Sequence, residues 1–393
     1  MKTDSLQTSS LQLQTTTTPN DDANANQVFK VLHLINGEHF AGAERVQDLL
    51  ALAIGEFGYS ADFACLKPGK FKDVRSSKTE LFELNMRNSL DLFVAREASR
   101  IVRENGYSMI HAHTPRTLMI GAMIAQRLKV PFVYHVHSPV GRDSTRSFRN
   151  RINTWVETRC LKSVDAMICV SGSLKQYMLG IGHDESKLHV VRNGVPCCHD
   201  LPTRSAPDSV WTLGTMALYR PRKGIETLLE ALQLLKAAGV NVHLRAVGGF
   251  ETESYEAEVK QLANKLEVEE MITWTGFQSD INAQFQAMDL FVLPSLFGEG
   301  LPMVVLESMA QAVPVIASDV EGIPEAVRDG VDGLIFKPGS ATDLAEKVTS
   351  IVGDAKKWQS FSESSVTRQR VELSEISMAK GVAGVYDFVR QQH

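Results

Sequence analysis

No run of apolar residues in this 393-residue chain approaches the roughly 20 needed for a bilayer-spanning helix, so none is expected. Cysteines are few and odd in number. The five (Cys65, Cys160, Cys169, Cys197 and Cys198) show no metal-ligand spacing. That pattern excludes a disulfide-stapled secreted scaffold and points to a reducing compartment, the cytoplasm. The adjacent Cys197 and Cys198 fall in the connection between the two halves and form no redox motif. An excess of charge is also missing: a net charge of -5 gives no general reason to bind nucleic acid or an anionic membrane. Any basic surface must therefore be local. The first 26 residues are rich in Thr, Ser, Asn and Gln, with no apolar segment and no arginine. They are expected to be a disordered tail rather than a secretory signal or transit peptide.

What is present is a soluble globular composition, 44% hydrophobic and 22% charged, at a length that favours two or three domains. Short Val/Ile-rich runs at 30–35, 59–65, 109–113, 131–135, 166–170 and 188–191 alternate with helical patterns such as 43–56 and 117–128. A stretch rich in Pro, Asp and Ser, roughly 196–209, interrupts this rhythm. The alternation then restarts at 212–218, 242–247, 272–275, 290–293, 315–317 and 333–336. Ile225, Leu228, Leu229, Leu232 and Leu235 recur at helical spacing, the mark of a packed crossover helix. Strands alternating with helices imply parallel sheets covered on both faces. The expected fold is α/β: two doubly wound Rossmann-like domains, 27–200 and 201–375, facing a central cleft at the strand C-termini. A last helix within 376–393 either finishes the second domain or crosses back onto the first.

Two glutamates carry most of the functional information. Glu299 lies between Gly298 and Gly300, after the apolar strand 290–293, and Glu307 follows eight residues later. Pro302 reads as the first residue of a helix, where a missing N–H is no loss. Strand, glycine-rich turn and helix N-terminus together make an anion site, because free N–H groups and the helix dipole point at the loop. A solvated acidic pair at a helix start is the plainer alternative. It does not account for a carboxylate set between two glycines, which stabilises no helix.

With this segment on view, followed by Pro314-Val-Ile-Ala-Ser-Asp319 and Gly322-Ile-Pro-Glu325, the chain resembles the family-four retaining nucleotide-sugar glycosyltransferases of the GT-B fold. The likeness covers nearly everything after the tail. It implies that Glu307 holds the nucleotide ribose and that Glu299 lies near the transferred sugar. A carboxylate accepts two ribose hydroxyls at once, which suits the first role. The family often has glycine where this chain has Pro302, leaving the N–H groups of Gly300, Leu301 and Met303 for phosphate or sugar. In Met216-Ala-Leu-Tyr-Arg220-Pro-Arg222-Lys223-Gly224, Lys223 matches the family lysine that neutralises the diphosphate leaving group. The accompanying arginine is missing, since Ala217 stands in its place, and Arg220 is the first substitute with Arg222 second. Fixed cations are what a departing diphosphate needs.

In the first half, the loop Asn36-Gly37-Glu38-His39-Phe40-Ala41-Gly42-Ala43-Glu44-Arg45 resembles the family segment that approaches the nucleotide phosphates, with Gly42 at the close approach. No full G-x-G-x-x-G is present, which argues against a dinucleotide cofactor. His111 and His113 share one strand face, as do His135 and His137. With no Cys or acid to complete a ligand set, neither pair is read as a metal site. By resemblance His137 stands near the sugar, and His113 and Arg116 line the acceptor side. Gly248 and Gly249 are expected to let backbone approach the nucleotide sugar. Arg192-Asn193-Gly194-Val195 is a turn similar to the family's Asn-Gly-Val, and Glu325 is expected near the nucleotide. Residues 142–162 are basic, with Phe148, Ile152 and Trp155 interleaved. They read first as a solvated helix face, then as a peripheral contact with the inner membrane face or with an acidic, lipid-linked acceptor.

The resulting expectation is a metal-independent hexosyltransferase with no cofactor. It passes sugar from a nucleotide diphosphate to a hydroxyl on a polysaccharide, lipid-linked glycan or similar precursor. No Asp-x-Asp element stands in a plausible loop to hold a metal. Two rivals remain: an epimerase acting on UDP-GlcNAc with the same architecture, and a non-catalytic nucleotide-sugar-binding protein.

Overall fold

The computed structural model describes residues 28–88, 91, 93–138, 159–200 and 204–393. The tail and almost all of the basic 142–162 stretch lie outside the described residues. Two parallel sheets organise the chain. The first has β1 Phe29–Ile35, β2 Tyr59–Cys65, β3 Leu81–Glu83, β4 Met109–Ala112, β5 Phe132–Val136, β6 Ala166–Cys169 and β7 Leu188–Val190, in the order β3-β2-β1-β4-β5-β6-β7. The second has β8 Trp211–Met216, β9 Val242–Val247, β10 Ile272–Gly276, β11 Leu290–Leu293, β12 Val315–Ser318 and β13 Gly333–Phe336, in the order β10-β9-β8-β11-β12-β13. In each sheet the order reverses beside the first strand, so each lobe has a switch-point crevice at its strand C-termini. Most strand ends coincide with those of the hydrophobic runs and the rest depart by one or two residues; the short edge strand β3 has no such run in the sequence.

Eight helices carry the argument below: α1 Gly42–Ala53, α2 Pro115–Leu128, α3 Gly172–Gly180, α4 Ile225–Ala237, α5 Met303–Ala310, α6 Ile323–Ala326, α7 Ala355–Glu372 and α8 Glu375–Arg390. Ile225, Leu228, Leu229, Leu232 and Leu235 of α4 are buried under β8 and β9, as their spacing requires. Pro302 takes the N-cap position, with φ -72° and ψ 120°, and Met303 begins α5. A proline there still forfeits no helical bond.

Of the two placements open for the last helix, the structure has the one on the first lobe. In α8, Tyr59 Oη donates to Asp387 at 2.6 Å, the Arg390 guanidinium lies 3.2 Å from the centre of the Phe29 ring, and Tyr386 is fully buried. An apolar core runs from the first sheet through Leu301, Met303, Val305 and Leu306 of the second lobe to Met378, Val382 and Val389 of α8. The lobes are therefore joined by packing as well as by chain. The five cysteines are free. Among the described residues no helix is long and apolar enough to cross a membrane.

Candidate active site in the interlobe cleft

The loop after β11 brings Glu299 into the cleft and buries it. Gly298 has φ +82°, in the left-handed region where a side chain would be strained. The Glu299 carboxylate meets Lys223 Nζ, accepts from Ser295 Oγ at 2.7 Å, and has Arg222 Nη1 at 3.6 Å. Its own N–H donates to Glu321. Lys223 and Arg222 reach it because Gly224, at φ +64°, turns the chain against β11: a Cβ there would lie 2.1 Å from the Pro294 carbonyl oxygen. Leu296 N–H donates to Arg222 O at 2.8 Å and fixes the two loops together.

Arg220 goes elsewhere. Its guanidinium faces Glu251, at 3.6 Å, while Arg222 joins Lys223 on Glu299. For the diphosphate the sequence put Arg220 first and Arg222 second; it is Arg222 that lies beside Glu299. The turn Pro221–Lys223 rotates successive side chains apart, so nearness in sequence to the missing arginine does not decide which cation reaches the acid.

Glu307 is buried one turn into α5 and faces the first lobe, where Arg45 of α1 lies against Oε1. No well-aligned hydrogen bond reaches either carboxylate oxygen from the described residues. Burial raises the pKa of this acid, and the Arg45 charge partly offsets the rise. Both oxygens are left with lone pairs to give. Gly42, at the start of α1, packs near the Met303 side chain, 3.9 Å from where its Cβ would stand. Arg45 was quoted within the Gly42 loop but given no role. Only the fold brings it to Glu307.

The two lobes touch through backbone. A Cβ on Gly300 would sit 2.1 Å from His137 O; within the second lobe, one on Gly322 would sit 1.7 Å from Gly300 O, which holds that loop in place. Leu301 O accepts from Asn193 Nδ2 at 2.9 Å, so the Arg192-Asn193-Gly194 turn holds the Glu299 loop. Glu325 of α6 accepts from Gly172 N and Ser173 N of α3, each at 2.8 Å. A carboxylate at a helix N-terminus is favoured by both the free N–H groups and the dipole. Glu325 thus serves as a clasp across the cleft.

Gly248 departs from its expected use. With φ +124°, its Cβ position lies 1.8 Å from Ala217 O, so the room it makes is already filled by the end of β8. Arg116, at the start of α2, lies 3.3 Å from Asn36 Oδ1 and 3.4 Å from Glu38 Oε2, at the edge of the Gly42 loop.

Behind the cleft the C-terminal ends of β1, β4 and β5 bring five histidines together. His33 Nδ1 and His113 Nε2 are 2.9 Å apart, and His113 Nδ1 and His137 Nε2 are 3.2 Å apart. Tyr386 Oη lies 2.6 Å from His111 Nδ1 and 3.2 Å from His33 Nε2. His135 stacks on His111 and His137. Burial keeps all five neutral: the pKa falls to about 3 for His33 and about 4 for His137, and well below normal for His111, His113 and His135. His33 was missed in the sequence because a lone histidine in an apolar strand gives no periodic signal. The β1–β4 register, His33 beside His111, brings it in.

Comparison with known proteins adds two family matches. Residues 40–197 match the model described as Glycosyltransferase Family 4, and residues 204–367 that described as Glycosyl transferases group 1. A similar curated protein is the alpha-maltose-1-phosphate synthase of Mycolicibacterium smegmatis, 29% identical over 71% of this chain and 78% of its own length. The lipopolysaccharide core biosynthesis glycosyltransferase LpsE of Rhizobium meliloti is 27% identical over 83% of this chain and 89% of its own. Among solved structures, Anabaena Alr3699/HepE in complex with UDP and glucose superposes with a TM-score of 0.79 at 21% identity. It covers 92% of this chain and 100% of that one.

Proposed function

Since glycosyltransferase family models match both lobes, the chain is a family-4-like glycosyltransferase of the GT-B fold, and we propose that it transfers a hexose from a nucleotide diphosphate to a glycan-type hydroxyl with retained configuration. The observation that carries this reading is the convergence of Lys223, Arg222 and Glu299 at one end of the Glu299–Glu307 segment, with Glu307, paired with Arg45 of the other lobe, at the other. The ribose hydroxyls donate to Glu307, displacing Arg45 from it. The diphosphate takes over Lys223 and Arg222, with the N–H groups of Gly300, Leu301 and Met303 as further donors. Two fixed cations supply the charge that a bridging metal would otherwise provide, so transfer needs no metal. HepE was solved with UDP-glucose, which makes that donor the first to try here.

Glu299 Oε1 is held by a lysine, an arginine and a serine, and its electron pairs are committed. The diphosphate, in taking over those two cations, frees this oxygen again, so a double displacement would have Glu299 as its nucleophile; the proposed route is front-face departure. The leaving phosphate oxygen then takes the acceptor proton, and Glu299 orients the sugar. The acceptor enters from the first lobe past Gly42, His113, Arg116 and His137. A peripheral contact of 142–162 with an anionic membrane would bring lipid-linked acceptors to that side.

The test is a thermal-shift screen of UDP-, GDP- and ADP-sugars, followed by kinetics on variants. One nucleotide class should raise the transition temperature by mass action. Glu307→Gln should weaken that nucleotide about 10- to 100-fold, the loss of charge-assisted hydrogen bonds. Lys223→Ala and Arg222→Ala should each lower kcat by about 10²-fold or more. Arg220→Ala should cost much less than Arg222→Ala. Unchanged affinity in the first variant together with unchanged turnover in the others would remove the site from this cleft.

A further inference from the structure

We propose that the histidine cluster is a binding site for one borderline divalent transition-metal ion of the zinc class, with His33 Nδ1, His111 Nε2 and His113 Nε2 as ligands. One ring nitrogen from each residue lies within 4.8 Å of the others, and all three residues are buried. The hydrogen bonds decide which nitrogens are free to ligate. The outer nitrogens are taken: His33 Nε2 and His111 Nδ1 by the Tyr386 hydroxyl, and His113 Nδ1 by His137 Nε2. Metal-ligating histidines are held in this way, with the far ring nitrogen fixed by a second group that sets tautomer and ring orientation.

Of the inner nitrogens, those of His33 and His113 face each other at 2.9 Å, while the His111 ring stacks on His113 with 4.2 Å between centres and must tilt to bring Nε2 to the ion. His33 Nδ1 and His113 Nε2 share a single proton between them, and His111 Nε2 has no partner among the described residues. A buried ring nitrogen without a partner is costly, so the arrangement calls for an occupant. Imidazole nitrogens alone, with neither thiolate nor carboxylate, suit zinc, copper, nickel or cobalt and suit magnesium or calcium poorly. Binding would move the shared proton to the outer nitrogen of the ring that carries it, towards Tyr386 Oη or His137 Nε2, and leave a fourth position for water or hydroxide, whose charge would offset part of the ion's.

A second trio, His113, His135 and His137, also brings its nitrogens within 4.8 Å. Neither nitrogen of His135 has a hydrogen-bond partner to orient the ring, so the first trio is the better-held site. The ion would fasten β1 to β4 and, through Tyr386, to the returning helix α8. It shares His113 with the proposed acceptor path but uses neither Lys223 nor Arg222, and the metal content of the protein is read without any transfer assay.

The experiment uses the full chain, produced without a histidine tag in zinc-replete medium and dialysed before elemental analysis. The expected result is one equivalent of metal. Replacing it with Co2+ should give the intense visible absorption of a four-coordinate nitrogen-ligated ion, and a strong chelator should lower the transition temperature. His33→Gln and His111→Gln should lose the ion. Tyr386→Phe should keep the fold and bind Co2+ about 10- to 100-fold more weakly. If a histidine variant fails to fold, the Co2+ spectrum of the unaltered protein and the Tyr386→Phe affinity still decide. Folded wild-type protein that takes up no stoichiometric ion and shows no Co2+ band overturns the proposal. So does loss of the ion in His135→Gln with retention in His33→Gln, which would assign it to the other trio.

Discussion

Glu307 and Arg45 come from different lobes, and their contact sets how the nucleotide site responds to pH. Burial raises the Glu307 pKa, so lowering the pH protonates it sooner than an exposed glutamate. Only the carboxylate accepts from both ribose hydroxyls, so nucleotide affinity should fall as pH drops through that raised value. Arg45 favours the charged form, and its removal should move the midpoint upward. Titrating UDP affinity against pH in wild type and Arg45→Ala checks this; a midpoint that stays put or moves down contradicts it. At this scale the sequence was partly legible. Glu299, Glu307 and Lys223 were readable because glycine, proline and charge stand in a fixed local order. Arg45, His33 and the preference for Arg222 over Arg220 were not, because each depends on which side chain a turn or a neighbouring strand aims at the cleft.

Among the elements, strands were the more readable: a buried parallel strand is a run of apolar residues, and only β3, three residues at a sheet edge, lacked one. The contacts between elements left no such trace. Glu325 was expected near the nucleotide, and nothing in the sequence showed that its carboxylate caps α3 in the other lobe. Behind it, Arg368 of α7 donates to Glu325 O at 2.7 Å and to Asp332 at 2.9 Å. Asp332 is fully buried. Burial alone would raise its pKa, but hydrogen bonds from Arg328, Arg368 and Ser364 together outweigh that and hold it at about 2. A depressed carboxylate stabilises the fold above its unfolded pKa, near 4, and that contribution is lost as pH falls toward 2. Asp332→Asn would leave the buried Arg368 with only the half-exposed Glu372, 3.6 Å from Nε, as counter-charge. The expected cost is about 3–5 kcal/mol, measured by urea unfolding at neutral pH. The variant should also lose the part of the acid sensitivity that lies between pH 4 and 2. A loss under about 1 kcal/mol would mean that solvent, rather than Asp332, balances that guanidinium.

For the whole molecule the decisive question is how closely the lobes must meet. Two lobes, parallel sheets and a cleft were legible from the repeated strand–helix alternation, whereas the side on which α8 docks was not, since its apolar stripe fits either lobe. The closure itself is built on glycine. Gly300 does not have the positive φ that favours glycine, so an alanine there would not strain its own backbone. Its Cβ would instead meet His137 O at 2.1 Å and Val170 Cγ2 at 3.0 Å, both in the opposite lobe. Gly300→Ala therefore tests the interlobe contact with little effect inside either lobe. The Gly300 N–H, one of the proposed phosphate donors, is kept by an alanine because the backbone there needs no positive φ; with Glu307 and the cations also unchanged, nucleotide affinity should stay near wild type. The acceptor side moves away from the sugar, and a displacement of about 1 Å at a reacting centre costs on the order of 10² in rate. The variant should thus show a large fall in kcat, a nearly unchanged Kd for the nucleotide, and a larger radius of gyration by small-angle scattering with UDP bound. If kcat holds within about twofold while the circular dichroism is native, then chemistry does not require this backbone contact. In that case the catalytic geometry would be set within the second lobe alone.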